Sequence, residues 1–183
     1  MTKLGISIVL PTYNERENIR ILIPGIVKTF GHINHEIIVV DDSSPDGTAK
    51  AAEELSEEYD NIKVIVRKKK VGIGAAIREG YNSAKNSIIL SCDSDLSFTL
   101  SDMYGFYEKM QEGYDLVWGS KYSKGSFYEP ETLEGRIKKF ISKSGNKIIR
   151  LVTGIDSYDF TANLRSVRKD VWKQIRTQEK TNT

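Results

Sequence analysis

The stretch that decides the fold is Ile88-Ile89-Leu90-Ser91-Cys92-Asp93-Ser94-Asp95, an apolar run that ends on two carboxylates one residue apart. The apolar part predicts a buried strand, and in an open parallel sheet ligands bind beyond the carboxyl ends of the strands. Mg²⁺ takes only one or two protein carboxylates and leaves its other positions for water and substrate phosphate. The stretch therefore predicts a metal-bridged diphosphate at Asp93 and Asp95.

Strand-like and helix-like segments alternate along the rest of the chain, which is typical of an α/β fold with a mainly parallel sheet. The pattern predicts strands at 6–10, 36–40, 63–67, 87–92, 115–120 and 163–167. It predicts helices at 17–30, 45–59, 74–85, 102–111 and 133–152, and a last helix that begins at Lys169. We expect Pro11 to close the first strand, Pro24 to kink or divide the first helix, and Ser44 and Ser101 to cap later ones.

Composition limits the classes of function. The 183 residues are 28% charged and 39% hydrophobic, as in soluble globular proteins, and no repeat or linker divides them, so we expect one domain over 1–183. A net charge of +2 is too small to indicate nucleic-acid binding. A lone cysteine suits a reducing, cytoplasmic compartment. There is no signal-peptide pattern at the start and no apolar run near the roughly 20 residues of a membrane-spanning helix, so we expect a soluble or surface-bound protein.

Acidic residues follow three of the predicted parallel strands. They are Glu15 after the first strand, Asp41 and Asp42 after the second, and Asp93 and Asp95 after the fourth. Any one of them could simply cap a helix. Because parallel strands end at the same edge of the sheet, however, the three positions together favour a binding site. The histidines, His32 and His35, precede the second strand and are expected at the opposite edge.

Two of these turns have side chains that suit a nucleotide. Segment 11–15 offers the ring of Tyr13 for stacking on a base, although the pattern is weak by itself. In segment 40–48, either Asp41 or Asp42 can bind a ribose or base edge while the other organises the loop, and the spacing leaves both assignments open.

Segment 67–74 joins four positive charges, including Lys70, to a glycine turn that ends at Gly74. Exposed backbone N–H groups at the start of a helix attract phosphate. The alternative is an ordinary solvated basic loop, because Gly-x-Gly alone is a weak signal.

Six segments, in order along nearly the whole chain, resemble one family: 11–15, 40–48, 71–76, 93–97, 119–122 and 157–165. The chain resembles the inverting nucleotide-sugar glycosyltransferases of family 2 with the GT-A fold, a Rossmann-like domain with a mainly parallel sheet. Among these it is most similar to the dolichyl-phosphate (polyprenyl-phosphate) mannose synthases, above all in segment 41–48.

The resemblance implies an activity and a set of site residues. The activity is transfer of mannose from GDP-mannose to a polyprenyl (dolichyl) phosphate, with inversion. Asp93 and Asp95 would hold Mg²⁺ or Mn²⁺ against the donor diphosphate. Arg165 would bind phosphate, and Asp159 would organise that end of the site. The donor contacts implied are Pro11, Tyr13, Glu15, Asp41, Asp42, Lys70, Gly74 and Lys121.

Three positions depart from the family pattern. Lys121 stands where arginine is common and lacks its bidentate fork. Ser97 replaces a longer glutamine, and Ala162 replaces a glycine, which can obstruct close backbone approach. The chain also stops at Thr183, earlier than its relatives usually do. These departures affect the expected handling of the acceptor more than donor binding.

Segment 133–152 has an apolar stripe at helical spacing, with six basic residues against a single acid, Glu134. Such helices lie on anionic membrane surfaces, or pack their stripe against a sheet. Since a polyprenyl phosphate sits in a bilayer, the resemblance favours a peripheral protein on the cytosolic face of a membrane. It also leaves room for a membrane partner subunit.

Two other functions fit the same residues. One is a UDP-sugar-dependent transferase acting on a sugar or lipid hydroxyl, for which Asp159 is the candidate base. The other is a protein that binds a nucleotide sugar without turnover, which the changes at Lys121 and Ala162 would explain.

Overall fold

The computed structural model describes residues 3–120, 144–147, 150–152 and 163–181, with side chains as far as residue 175. These residues belong to two compact units, 1–117 with 164–183, and 118–163. The elements are β1 (Ile6–Thr12), α1 (Arg16–Phe30), β2 (His35–Asp41), α2 (Thr48–Glu58), β3 (Ile62–Val66), α3 (Ile73–Ser83), β4 (Ile88–Ser91), α4 (Leu100–Gln111), β5 (Leu116–Trp118), β6 (Arg165–Arg168) and α5 (Lys169–Thr181).

The strands form one six-stranded sheet in the order β3-β2-β1-β4-β6-β5. β1, β2, β3 and β4 pair in parallel with one another, whereas β6 runs antiparallel to β4. The register places Thr12 beside Asp41, and Asp41 beside Val66. The predicted α/β fold with a mainly parallel sheet is confirmed, and the carboxyl ends of β1, β2, β3 and β4 share one edge.

Helices cover both faces of the sheet, which explains why its central strands are continuous apolar runs. On one face, Ile8 and Leu10 of β1 pack with buried residues of α1, α2 and α4. On the other face, Val9 packs with α3 and with Trp172 of α5. A Cβ on Gly80 would lie 2.3 Å from Val9 Cγ1, so α3 can rest on β1 only because this position is glycine.

The prediction that Pro11 closes β1 is wrong, and Pro24 does not divide α1. Pro11 lies inside β1, in register with Val40, rather than after its end. Pro24 lies inside α1, which is assigned as one helix from Arg16 to Phe30. Ile23 and Ile26, on either side of Pro24, are fully buried. Their packing on the sheet therefore offsets the hydrogen bond that proline removes from a helix.

Two predicted helix caps are also wrong. α2 begins at Thr48, after Gly47 at φ +86°, because Asp41 holds Ser44 within the preceding loop. α4 begins at Leu100, where Thr99 and Asp102 form a reciprocal capping box. The other strand and helix ends lie within two residues of their predicted positions.

Only part of the predicted helix over 133–152 can be compared. Residues 144–147 and 150–152 are helical, and the remainder lies outside the described residues. No helix in the described ranges combines the length and apolar character needed to cross a membrane.

Candidate functional site

A cavity of about 200 Å³ opens at the carboxyl edge of the parallel strands. It is lined by the last residues of β1, by residues that follow β1, β2 and β4, and by the loop before α3 and the first turn of α3. These residues are Pro11, Thr12, Tyr13, Glu15, Asp42, Lys70, Ile73, Ala76, Asp93, Ser94 and Asp95. The structure thus brings together three acidic turns that lie far apart in the sequence.

Asp93 and Asp95 face this cavity from the turn after β4. Ser94 between them is buried, and its hydroxyl donates a hydrogen bond of 3.1 Å to the carbonyl oxygen of Pro11. The backbone N–H of Ser97 donates to Asp95 Oδ1 at 3.0 Å, across Leu96 at φ +60°. The turn is therefore fastened to β1, while Asp93 is half-buried and Asp95 is exposed.

The chemistry of this donor set fits a hard divalent cation. Within the described ranges, no group of three or more His, Cys, Asp or Glu side chains is arranged to hold a metal ion by itself. Two carboxylates are nevertheless what Mg²⁺ typically takes from a protein when a substrate phosphate and water supply its other ligands. Asp93 and Asp95 therefore suit a metal that arrives with a diphosphate.

Asp41 and Asp42 have different environments. The fully buried Asp41 accepts hydrogen bonds from Thr12 Oγ1 at 3.1 Å and from the backbone N–H of Ser44 at 2.8 Å. Ser44 Oγ also donates to it. Asp41 therefore organises the loop and does not line the cavity, whereas Asp42 does.

The Asp42 carboxylate fixes the loop before α3. Its Oδ1 lies 2.7 Å from the Arg67 guanidinium, and its Oδ2 accepts from the backbone N–H groups of Val71 and Gly72 at 3.3 and 3.1 Å. Arg67 also pairs with Glu79 at 3.1 Å. Gly72 has φ +110°, a conformation that favours glycine. Sequence reasoning missed this buried ion pair, because the run 67–70 shows four similar charges.

Lys70 lies over the ring of Tyr13, with its Nζ 3.4 Å from the ring centroid. This cation–π contact covers one face of the ring that was predicted to stack on a base. Gly74 lies in the first turn of α3 and is not part of the cavity lining. A Cβ there would meet nothing within 4 Å, so packing does not require glycine at this position.

The loop over 42–47, together with Thr48 at the start of α2, caps the start of α1. Ser44 Oγ, Thr48 Oγ1 and Asp46 Oδ2 accept from the backbone N–H groups of Asn14, Glu15 and Arg16 at 3.0, 2.9 and 3.1 Å, respectively. Burial works against ionisation of Asp46, but hydrogen bonds from Thr48 and from the backbone of Arg16 and Thr48 lower its pKa. The polar residues of this loop thus hold Tyr13 and Glu15 at the cavity.

Arg165 lies at the same edge, although β6 runs the other way. As the first residue of β6, it pairs in register with Ser91, two residues before Asp93. Ser91 Oγ lies 2.9 Å from the hydroxyl of Tyr81. Burial raises the pKa of Tyr81, and the Ser91 hydrogen bond and the Arg165 charge oppose that rise. Arg165 is not part of the cavity lining.

The remaining predicted positions have different outcomes. Lys121, Asp159 and Ala162 lie outside the described residues. His35 begins β2, at the amino edge opposite the cavity, as expected. Sequence reasoning did not select Thr12, Ile73, Ala76 or Ser94 as cavity residues. For Ser94 a signal existed, since it separates the two acids.

Residues 7–176 match glycosyl transferase family 2. The chain belongs to this family. It is 34% identical over 170 residues to a dolichol-phosphate mannosyltransferase of Pyrococcus furiosus, covering 92% of this chain and 47% of that protein. It is 31% identical over 177 residues to a polyprenol monophosphomannose synthase of Mycolicibacterium smegmatis, covering 92% and 63%. The chain thus spans about half to two thirds of the length of these relatives.

Solved structures confirm the predicted GT-A fold. A mannosyltransferase from Pyrobaculum calidifontis, in complex with GDP-Man and Mn²⁺, has a TM-score of 0.67 at 16% identity, covering 96% of this chain and 47% of its own. Mannosyl-3-phosphoglycerate synthase from Rubrobacter xylanophilus has a TM-score of 0.70 at 18% identity, covering 92% and 54%. A Mycobacterium tuberculosis glucosyl-3-phosphoglycerate synthase with Mn²⁺ and UDP has a TM-score of 0.65 at 20% identity, covering 91% and 56%.

Proposed function

We propose that this chain carries the catalytic site of an enzyme that transfers mannose from GDP-mannose to a polyprenyl (dolichyl) phosphate. The observation that carries the proposal is the single cavity in which the Asp93–Asp95 turn meets Tyr13, Glu15 and Asp42. Two relatives above 30% identity, a dolichol-phosphate mannosyltransferase and a polyprenol monophosphomannose synthase, support the choice of sugar and acceptor.

In this proposal the donor nucleotide lies along the turns after β1 and β2. Pro11, Tyr13 and Glu15 contact the guanosine, and Asp42 faces it from the neighbouring strand. Lys70 leaves the ring of Tyr13 when the base stacks there, and its ammonium group then has a diphosphate within reach. Lys121, and the backbone near Gly74, are further proposed contacts to the donor.

Asp93 and Asp95 would hold Mg²⁺ or Mn²⁺ on the diphosphate. When bound, such a cation acts as a Lewis acid that offsets charge on a departing nucleoside diphosphate. The chain's own task at this point is to present two carboxylates on a turn that Ser94 and the backbone of Ser97 hold in place.

The acceptor is a phosphate oxygen, which is already anionic near neutral pH because its second pKa is about 6. It therefore needs no strong general base, in agreement with the position of His35 at the edge of the sheet opposite the cavity. Attack on the side of the sugar opposite the diphosphate inverts the anomeric centre. We assign Arg165, at that edge of the sheet, to phosphate binding, and Asp159 to ordering the same end of the site.

Because the polyprenyl phosphate acceptor sits in a bilayer, the proposed location is the cytosolic face of a membrane, with segment 133–152 on the membrane surface. Leu151 and Val152, at the end of that segment, are 86% and 78% exposed. A membrane partner subunit, which would hold the enzyme where the bilayer-bound acceptor lies, is part of this proposal.

The test is incubation with radiolabelled GDP-mannose, Mn²⁺ or Mg²⁺, and a short polyprenyl phosphate in detergent. We expect label in the organic phase with metal, and none without it. Unlabelled GDP should compete, and UDP should not. Competition by UDP alone would instead favour a UDP-sugar donor. Metal-dependent binding without transfer would indicate a binding protein and contradict the proposal.

A further inference from the structure

Exposed apolar side chains gather around the mouth of the cavity. Among the described residues, the large hydrophobic side chains exposed at the carboxyl edge are Tyr13 (38%), Val66 (50%), Val71 (56%), Ile73 (54%) and Leu96 (42%). A single exposed apolar residue is ordinary, but a group around one cavity marks an interaction surface. We call Lys68, Lys69, Val71, Ile73 and Leu96 the rim.

The backbone beneath the rim is held firmly. Asp42 accepts hydrogen bonds from the N–H groups of Val71 and Gly72. Arg67, at the start of the loop, forms an ion pair with the same carboxylate. These contacts use the backbone and leave the side chains of Val71 and Ile73 pointing to solvent. The exposure of the two side chains is thus a feature of an anchored loop.

The charge beside these apolar groups is positive. Lys68 and Lys69 are exposed, and neither pairs with a carboxylate in the described part of the chain. Lysines next to half-exposed aliphatic side chains are the composition of segments that lie at a membrane surface, where headgroups attract the ammonium groups and the acyl boundary takes the apolar ones. A protein-binding surface is usually richer in aromatic residues and arginine.

We infer that the rim docks on the surface of an anionic lipid bilayer. The inference rests on the proposed function, because it gives the docking a purpose: the cavity would open toward the layer that holds a polyprenyl phosphate. It also goes beyond that function, since segment 133–152 is far along the sequence from the rim. Docking through the rim requires neither that segment nor a partner subunit.

The experiment is co-sedimentation of the purified chain with vesicles of phosphatidylcholine, with and without phosphatidylglycerol. The wild-type protein should bind the anionic vesicles more tightly, and added salt should weaken this binding. We expect K68Q/K69Q to lower partition onto anionic vesicles by at least about ten-fold. Val71→Ser should lower partition several-fold, because the exposed aliphatic group no longer enters the interface.

The matched controls remove the same chemistry elsewhere. K28Q/K63Q takes away two exposed lysines, and Ile21→Ser replaces an aliphatic side chain that is 64% exposed on α1. Both should partition like the wild type. Equal losses in the controls and the rim variants, or wild-type binding that ignores lipid charge, would overturn the docking inference.

A second readout separates this inference from the proposed function. Lys68 and Lys69 do not line the cavity, so K68Q/K69Q should bind GDP-mannose as the wild type does. Loss of vesicle binding with donor binding intact supports docking through the rim. Vesicle binding by a protein that fails to transfer mannose in detergent would contradict the proposed function and leave the docking surface standing. Normal vesicle binding by both rim variants would overturn docking through the rim and leave the proposed function standing.

Discussion

Two pairs of aspartates follow strands at the same edge of the sheet, and the structure gives them different surroundings. Asp41 and Asp42 are 0% and 4% exposed, and protein groups occupy both oxygens of each carboxylate. Asp95 is exposed and Asp93 is half-buried at the cavity. Similar acidic signatures thus separate into a buried pair bonded to protein groups and a more exposed pair at the cavity, which Asp42 of the buried pair also lines.

The neighbours of each pair explain the difference. Downstream of Asp41 and Asp42 come Ser44, which donates to Asp41, and the largely buried cation Arg67, which pairs with Asp42. The turn of Asp93 and Asp95 is instead held by the hydroxyl of Ser94, which donates to Pro11, and by the backbone N–H of Ser97, which donates to one oxygen of Asp95. We therefore expect substitutions in the first pair to reduce stability above all, with some loss of donor binding at Asp42, and substitutions in the second pair to reduce activity.

The largest effect should come from Asp95→Asn. Loss of one charge at the proposed metal position removes electrostatic stabilisation of the departing diphosphate, and such losses cost about 10²- to 10³-fold in rate. Mannosyl transfer in detergent measures this effect. The midpoint of thermal unfolding should stay near the wild-type value, because Asp95 is exposed. A variant with full activity, or one that is unfolded, would remove the distinction between the pairs.

Asp42→Ala should have the next largest effect, on stability. It leaves the Arg67 guanidinium, whose side chain is 12% exposed, without its closest carboxylate. Breaking a buried ion pair costs about 3 kcal/mol, and Glu79 keeps this case near the low end of the range. Urea denaturation measures the loss. The double variant D42A/R67M should recover part of it, since no unpaired charge remains, and no recovery would argue against the ion pair as the cause.

Asp46→Ala should lower the free energy of unfolding by a smaller amount, about 1 kcal/mol, which is typical of losing a helix cap. Asp46 holds the N–H of Arg16 at the start of α1, so its loss should also weaken GDP-mannose binding through movement of Tyr13 and Glu15. Calorimetric titration beside urea denaturation measures both. Asp60→Ala, in the turn before β3, is the control that should change neither.

The smallest effect is the dependence of stability on pH. Hydrogen bonds lower the pKa of Asp46 in the folded protein, so its stabilising contribution is complete above the unfolded pKa of about 3.9 and is lost as the pH falls through the folded value. Because Asp46 is exposed, we expect less than about 1 kcal/mol from this carboxylate. Unfolding free energies of wild type and D46N, measured from about pH 5 to pH 3, should converge toward the acid end. Curves that stay parallel over this range would contradict a lowered pKa of Asp46 in the folded protein.

Much of the site could be predicted from strand ends alone. A buried apolar run followed by an acid fixes where a parallel strand stops, and parallel strands stop at one edge, so Glu15, Asp42, Asp93 and Asp95 were correctly grouped. The order of the strands was not needed for that prediction. Arg165 reaches the same edge because β6 is antiparallel, which the sequence did not indicate.

What could not be predicted depends on contacts between distant segments. The pairing of Arg67 with Asp42, and of Lys70 with Tyr13, joins loops that meet only in the folded sheet. Pro24 is accommodated because buried neighbours hold α1 in place. Ser44 does not cap α2 because it is hydrogen-bonded to Asp41 in the preceding loop. In each case a tertiary contact outweighs a local preference.

The division of tasks between the two aspartate pairs is tested most directly by Mn²⁺ binding in the presence of GDP, measured by electron paramagnetic resonance. Wild-type protein, Asp95→Asn and Asp42→Asn would be compared under conditions in which all three are folded. Asp95→Asn should lose nucleotide-dependent Mn²⁺ binding, whereas Asp42→Asn should keep it at saturating GDP, with a lower unfolding midpoint. Mn²⁺ binding that survives Asp95→Asn and disappears in Asp42→Asn would contradict the division of tasks between the two pairs.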